Sequence, residues 1–330
     1  MAGFGVRPHH HPSLEPHVHM LSHADVKTAA DRIAGHVRPV TVAPGDGDGV
    51  SFALELMQHT GSFKARGALN FLLAHREAGT LPAAGVTIAS GGNAGLACAW
   101  AARGQDARAT VFLPTTAPKV KVDRLLGYGA DVRLVGTEYA EALAASDAFA
   151  AETGALASHA YDHPLIAAGA GTLLEEVQRG LPGLDTVVVS VGGGGLFAGV
   201  AAAARAHGVR VVAVEPENCR ALHAALEAGR PVDVAVDSVA ADSLGARRAS
   251  AAALEAARQD HVRSVLVTDA DIVRARRSLW DERRLAVEHA AATAHAALGT
   301  AYRPEPGERV CVVLCGANTD PSDLVAAPRR

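Results

Sequence analysis

The 330-residue chain is 49% hydrophobic and 20% charged, with a formal net charge of −4 and 4% aromatics. That balance predicts a substantial core in one large domain or two of ordinary size, and it supplies neither the basic footprint nor the stacking rings of a nucleic-acid binder. No apolar run reaches the roughly 18 residues of a membrane helix, and residues 1–20 lack the apolar centre of a signal peptide, so a small molecule or a second copy of the chain is the expected partner.

Residues 1–20 carry His9, His10, His11, His17 and His19 between Pro8, Pro12 and Pro16. The prolines break any regular element and predict a flexible tail, with adventitious metal binding as the alternative. A helix is predicted from Ser22 to about His36, capped by Ser22 and apolar at Val26, Ala29, Ala30 and Ile33. The stretch Pro44-Gly45-Asp46-Gly47-Asp48-Gly49 predicts a loop; it lacks the closing Glu of a calcium loop. A strand follows at Val50–Leu56 and a helix at Phe63–Glu77.

Strands and helices then alternate. Strands are predicted at 86–89, 109–113 and 131–135, with helices from Ala94 to about Arg103, at 118–127 and at 138–152. A helix at 165–179 precedes a strand at 186–191, a helix reaching His207 and a strand at 209–215. Later come a strand at 264–267, helices at 270–283 and 288–298, and a strand at 310–314. Such βα alternation predicts parallel sheets covered by helices, an α/β fold with two sheets.

Four places stand out chemically. Only four lysines occur, Lys27, Lys64, Lys119 and Lys121, against many arginines. Lys64, within Gln58-His59-Thr60-Gly61-Ser62-Phe63-Lys64-Ala65-Arg66-Gly67, starts a helix among small and apolar residues. A partly buried amine can lose its proton and form a Schiff base with a carbonyl cofactor, which arginine cannot; a surface lysine near a helix start is the plain alternative. Ser90-Gly91-Gly92-Asn93 joins a strand to a helix, so its N–H groups suit an anion such as a substrate carboxylate, or simply form a capped turn. Gly192-Gly193-Gly194-Gly195 offers a phosphate cradle. The same glycines, with Ala198 and Glu215 20 residues beyond Gly195, also fit a relaxed NAD fingerprint, so this loop by itself leaves both open. Cys315 ends the last strand, where function concentrates, or is a buried small residue. The cysteines Cys98, Cys219, Cys311 and Cys315 have no CxxC spacing, which fits a reducing cytoplasm.

A Schiff-base lysine, a phosphate cradle and a carboxylate loop together describe a pyridoxal phosphate enzyme acting on an amino acid. The chain resembles the serine/threonine dehydratases of the tryptophan-synthase-β-like, fold type II pyridoxal phosphate enzymes. The resemblance runs from about Leu21 to Asn318. It rests on His59–Gly67, Ser90-Gly91-Gly92-Asn93-Ala94-Gly95, Val191–Leu196, Val214-Glu215-Pro216 and Cys315-Gly316-Ala317-Asn318, specific in combination and weak singly.

The resemblance implies two open twisted α/β domains with the cofactor in the cleft between them. Residues 21–80 and 159–330 would form the large domain and 81–158 the small one. It implies that Lys64 is the Schiff-base lysine and Cα base, that Phe63 lies against the ring and that Asn93 contacts the ring hydroxyl. Gly192, Gly193, Gly194 and Gly195 would hold the phosphate, Cys315 would sit beside the pyridine nitrogen, and Ser90, Gly91, Gly92 and Asn93 would bind substrate. The implied activity is α,β-elimination from L-threonine or L-serine, giving a 2-oxo acid and ammonia, in a homodimer.

Departures refine this. Ala94 stands where many relatives have His, as in the liver-type serine dehydratases. Gly91 stands where the racemases of the group have a second serine, which argues against racemisation. Cys219 and Ala221 follow Glu215 where some relatives hold a divalent cation, so no metal is predicted there. Glu288, in Val287-Glu288-His289-Ala290, matches a family glutamate of less defined role. Alternatives are another β-elimination or replacement enzyme of the group, an NAD-dependent oxidoreductase using Gly193, Gly195 and Glu215, and a non-catalytic amino-acid sensor.

Overall fold

The computed structural model describes residues 20–45 and 49–325. The predicted tail histidines and the Asp46–Asp48 part of the predicted loop lie outside the described residues.

Ten strands form two sheets. The larger takes β1 (Val42–Pro44), β2 (Val50–Ala53), β7 (Thr186–Ser190), β8 (Arg210–Pro216), β9 (Val262–Val267) and β10 (Val310–Val313), in the order β1-β2-β10-β7-β8-β9. The smaller takes β3 (Val86–Ala89), β4 (Ala109–Leu113), β5 (Asp131–Leu134) and β6 (Leu156–Ala157), in the order β5-β4-β3-β6. Every pairing is parallel except β1 with β2. The central strands β7, β8 and β10 are runs of Val, Ala and Cys buried along nearly their whole length, as parallel strands covered on both faces require.

Thirteen helices connect them among the described residues. α1 (His23–Ile33), α2 (Lys64–Glu77), α3 (Asn93–Gly104), α4 (Lys119–Gly127) and α5 (Tyr139–Thr153) come first. α6 (Pro164–Gly180), α7 (Gly195–His207), α8 (Ala221–Ala228), α9 (Ala241–Leu244) and α10 (Ala251–Ala257) follow, then α11 (Asp269–Arg283), α12 (His289–Ala296) and α13 (Ser322–Val325). No helix among the described residues is long and apolar enough to cross a membrane.

Local chemistry explains several boundaries. Ser22 caps α1 in a capping box with Asp25, and Val26, Ala29 and Ile33 form its buried stripe. α1 stops at Ile33, short of the predicted His36, because Gly35 turns left-handed at φ 76°. The predicted strand to Leu56 ends at Ala53. There the chain tightens into a 3-10 turn, Glu55–Met57, which carries Glu55 into the interior to meet Arg66. β1, β6 and the helices α8, α9 and α10 have no counterpart among the predicted elements.

Candidate active site

Three strand-to-loop exits build the site at the carboxyl ends of parallel strands, where open α/β sheets place ligands. β3 leads into Ser90–Gly92 and α3; β7 leads into Val191–Gly194 and α7; β10 leads into Leu314–Asn318. The loop before α2 is stitched to the last of these. Phe63 N–H donates to Cys315 O at 3.0 Å, and Ala317 N–H donates to Gly61 O at 2.9 Å. Thr60 is held in a left-handed conformation at φ 62°, and its carbonyl accepts from Asn318 Nδ2 at 2.7 Å. That neighbour fixes a backbone bend which a β-branched residue rarely adopts. The bend delivers Lys64 to the first position of α2.

A cavity of about 600 Å³ gathers the predicted residues: Phe63, Lys64, Ser90, Gly91, Gly92, Asn93, Gly192, Gly193, Gly194, Gly195 and Cys315 all line it. It also takes in Ala160, Tyr161, Ser190, Glu288 and Asn318, which the sequence left without an assigned role. Of these, Glu288 and Asn318 already lay inside matched motifs; only tertiary contact reveals the other three.

Lys64 Nζ donates to Ala160 O at 2.7 Å and stands 4.8 Å from the centre of the Phe63 ring. Burial lowers its amine to about 8, against the opposing influence of Cys315 and Glu288. About a tenth is therefore unprotonated at pH 7, far more than for an ordinary lysine, and this is the form that attacks a carbonyl or removes a proton.

Asn93 is clamped between two partners. Its Nδ2 donates to both Glu288 oxygens, at 3.0 and 3.1 Å, and its Oδ1 accepts from Asn318 Nδ2 at 2.6 Å. Burial raises the Glu288 carboxyl above the usual range, with Asn93 pulling the other way. Cys315 Sγ lies 3.6 Å from Ser190 Oγ. Burial pushes its thiol up to about 12, so it stays neutral at working pH.

Pyridoxal phosphate needs an amine, an anion cradle and a ring-edge partner, and the residues present fit. Both α3 and α7 begin at a glycine, Gly92 and Gly194, with no side-chain cap. Their first N–H groups and positive dipole ends therefore face the cavity for an anion. Gly194 sits at φ 97°, and an added Cβ would lie 2.3 Å from Ala253 Cβ. The turn is thus built from bare backbone, as a phosphate cradle requires.

Glu215 does not join the cavity. Its Oε1 and Oε2 accept from Leu222 N–H and His223 N–H, each at 2.8 Å, at the start of α8. The carboxylate that an NAD ribose contact needs is thus spent inside the fold.

The model of the family described as pyridoxal-phosphate dependent enzyme matches residues 38–316. The chain is 39% identical to the phenylserine dehydratase of Ralstonia pickettii, over 84% of this chain and 85% of that one. It is 36% identical to the L-threonine ammonia-lyase of Geobacter sulfurreducens, over 94% of this chain and 79% of that one. The structure of maize serine racemase superposes with a TM-score of 0.84 at 27% identity, over 92% and 95% of the two chains. With that match spanning most of the sequence, the two α/β sheets and the lysine between two uncapped helix starts, the chain belongs to the pyridoxal-phosphate dependent enzymes and is a fold type II member whose cofactor is pyridoxal phosphate.

Proposed function

We propose that the protein is an L-threonine/L-serine ammonia-lyase, releasing a 2-oxo acid and ammonia by α,β-elimination. The observation that carries this reading is the half-buried Lys64 amine lining one cavity with the Cys315 thiol and two uncapped helix N-termini.

In this reading the cofactor, when bound, withdraws the charge that develops on Cα. The chain does the rest. Lys64 holds the cofactor and then takes the Cα proton on Nζ. Phe63 packs against the ring, and Asn93, held by Glu288 and Asn318, meets its hydroxyl. Gly192–Gly195 and the start of α7 receive the phosphate. Ser90–Asn93 and the start of α3 receive the substrate carboxylate. Cys315, neutral beside the ring nitrogen, would add no negative charge to hold a proton there; charge on Cα would then be less stabilised and early loss of the β-hydroxyl favoured, leaving as water with a proton that the bound cofactor's phosphate would supply. The released enamine hydrolyses to the 2-oxo acid and ammonia. Residues 21–80 with 159–330 would form the large domain and 81–158 the small one. A homodimer and a cytoplasmic location complete the reading; all four cysteines being free buried thiols supports a reducing compartment.

Racemisation is disfavoured at Gly91. It carries no hydroxyl, and a Cβ there would lie 2.5 Å from Leu113 Cδ2, so a serine requires that side chain to move. A second elimination reading, with a bulkier β-substituent, is favoured by the similarity to a phenylserine dehydratase. A panel of L-threonine, L-serine and phenylserine, read by 2-oxo acid release, separates the readings. Fast turnover of threonine or serine supports the first. Turnover confined to phenylserine supports the second, and interconversion of serine enantiomers without 2-oxo acid overturns both.

A further inference from the structure

Three side chains from three helices converge well away from the residues that line the cavity. His23 is the first residue of α1, Glu175 lies within α6, and His207 is the last residue of α7. Both imidazole Nε2 atoms lie 2.8 Å from the same oxygen, Glu175 Oε1. The three donor atoms all fall within 4.8 Å of one another. The two rings meet edge to face, with centroids 5.1 Å apart and planes at 77°. They therefore aim their nitrogens at a common point instead of stacking.

We propose that His23, Glu175 and His207 form a binding site for one divalent transition-metal ion of the zinc class, with water completing the coordination. Two imidazole nitrogens and a carboxylate are a donor set suited to zinc. Zinc bonds of about 2.0–2.1 Å place neighbouring tetrahedral donors about 3.3 Å apart, so each Nε2–Oε1 contact opens by about half an ångström while the two Nε2 atoms, within 4.8 Å of each other, close by up to about 1.5 Å. Side-chain exposure of 29% for each histidine and 16% for Glu175 leaves room for water at the remaining positions. His207 occupies the last turn of α7, the helix end whose partial charge attracts cations. His23 stands at the opposite kind of end, and Asp25 in the same turn offsets it.

The ion would brace α1 against the α6–α7 pair. Glu176, next to Glu175, holds Arg66 of the lysine helix. The site is thus a clamp on the scaffold and not part of the chemistry. Without metal the same three groups form a hydrogen-bonded clip.

The test uses the full-length holoenzyme with His9, His10, His11, His17 and His19 replaced by Ala, which removes background binding by those histidines. After chelator treatment it is titrated with zinc chloride. Bound metal is counted after gel filtration and Tm is recorded. The proposal expects one zinc per chain and, at about 100 times Kd, a Tm rise on the order of 5 °C. Both are lost in His207→Gln and in Glu175→Gln. A parent that binds no zinc, or variants that keep the same stoichiometry and shift, overturn it. Should a variant fail to fold, the parent decides: cobalt(II) gives the visible absorption of a tetrahedral N2O site in a difference spectrum, and its absence overturns the proposal.

Discussion

The Lys64 amine donates to the main-chain oxygen of Ala160 at 2.7 Å. Ala160 follows β6 of the smaller sheet, whereas Lys64 opens a helix whose approach is stitched to the end of β10 in the larger one. The amine is therefore aimed by both sheets at once, and its acceptor is a neutral carbonyl that cannot hold it in the charged form by ion pairing.

The pH dependence of stability follows from that burial. In the cofactor-free chain the unfolded lysine titrates near 10.5 and the folded one at about 8. Between these values the unfolded state binds more protons, so the Lys64 contribution to stability improves as pH rises. Its cost, about 3 kcal/mol, is fully present below pH 8 and gone above 10.5. Urea unfolding of wild type and Lys64→Met should show the variant ahead by roughly this amount at pH 7 and level near pH 10.5. A difference that stays constant with pH contradicts the depressed amine.

Arg66 anchors the same helix from beneath. It is fully buried, with Nε 2.5 Å from Glu55 Oε1 and Nη1 2.7 Å from Glu176 Oε1. Arg66→Met should cost about 3–5 kcal/mol by leaving the Glu55 charge buried without its partner. Arg66→Met/Glu55→Leu should recover much of that loss, since a packed apolar pair replaces an ion pair at small net cost. Denaturant midpoints check both; a double variant no better than the single one contradicts this account.

Gly194 tests the anion cradle. Alanine there must adopt φ near 97° and pushes its Cβ to 2.3 Å from Ala253 Cβ. The strain, about 1–3 kcal/mol, falls on the turn before α7 and should weaken pyridoxal phosphate binding roughly 10-fold or more. An absorbance titration measures it, and an unchanged Kd would remove this turn from the cradle.

The parallel sheets were legible because buried strands such as Val187-Val188-Val189 and Val310-Cys311-Val312-Val313 are unbroken apolar runs ended by glycine-bearing turns. The loops around Lys64, Ser90 and Gly192 were legible because their residue types have few other uses in that order. β1 escaped because it is three residues long and ends in Pro44, and β6 because it has only two residues. The clamp on Asn93 escaped because Glu288 lies 195 residues away. The Arg66 cluster escaped for the same reason: Glu55 and Glu176 lie 11 and 110 residues from it, and no local pattern marks charges that meet only in the folded core. Glu215 had the spacing of a ribose contact, but spacing does not reveal that α8 begins six residues on, where Leu222 and His223 take both oxygens.

Reduction of the holoenzyme with borohydride, followed by peptide mass mapping, tests the central claim most directly. The account predicts a single pyridoxyl phosphate adduct on Lys64, no adduct in Lys64→Ala, and loss of 2-oxo acid formation by at least about 10³-fold in that variant. An adduct on Lys27, Lys119 or Lys121, or a Lys64→Ala variant that still turns over at the wild-type rate, would contradict it.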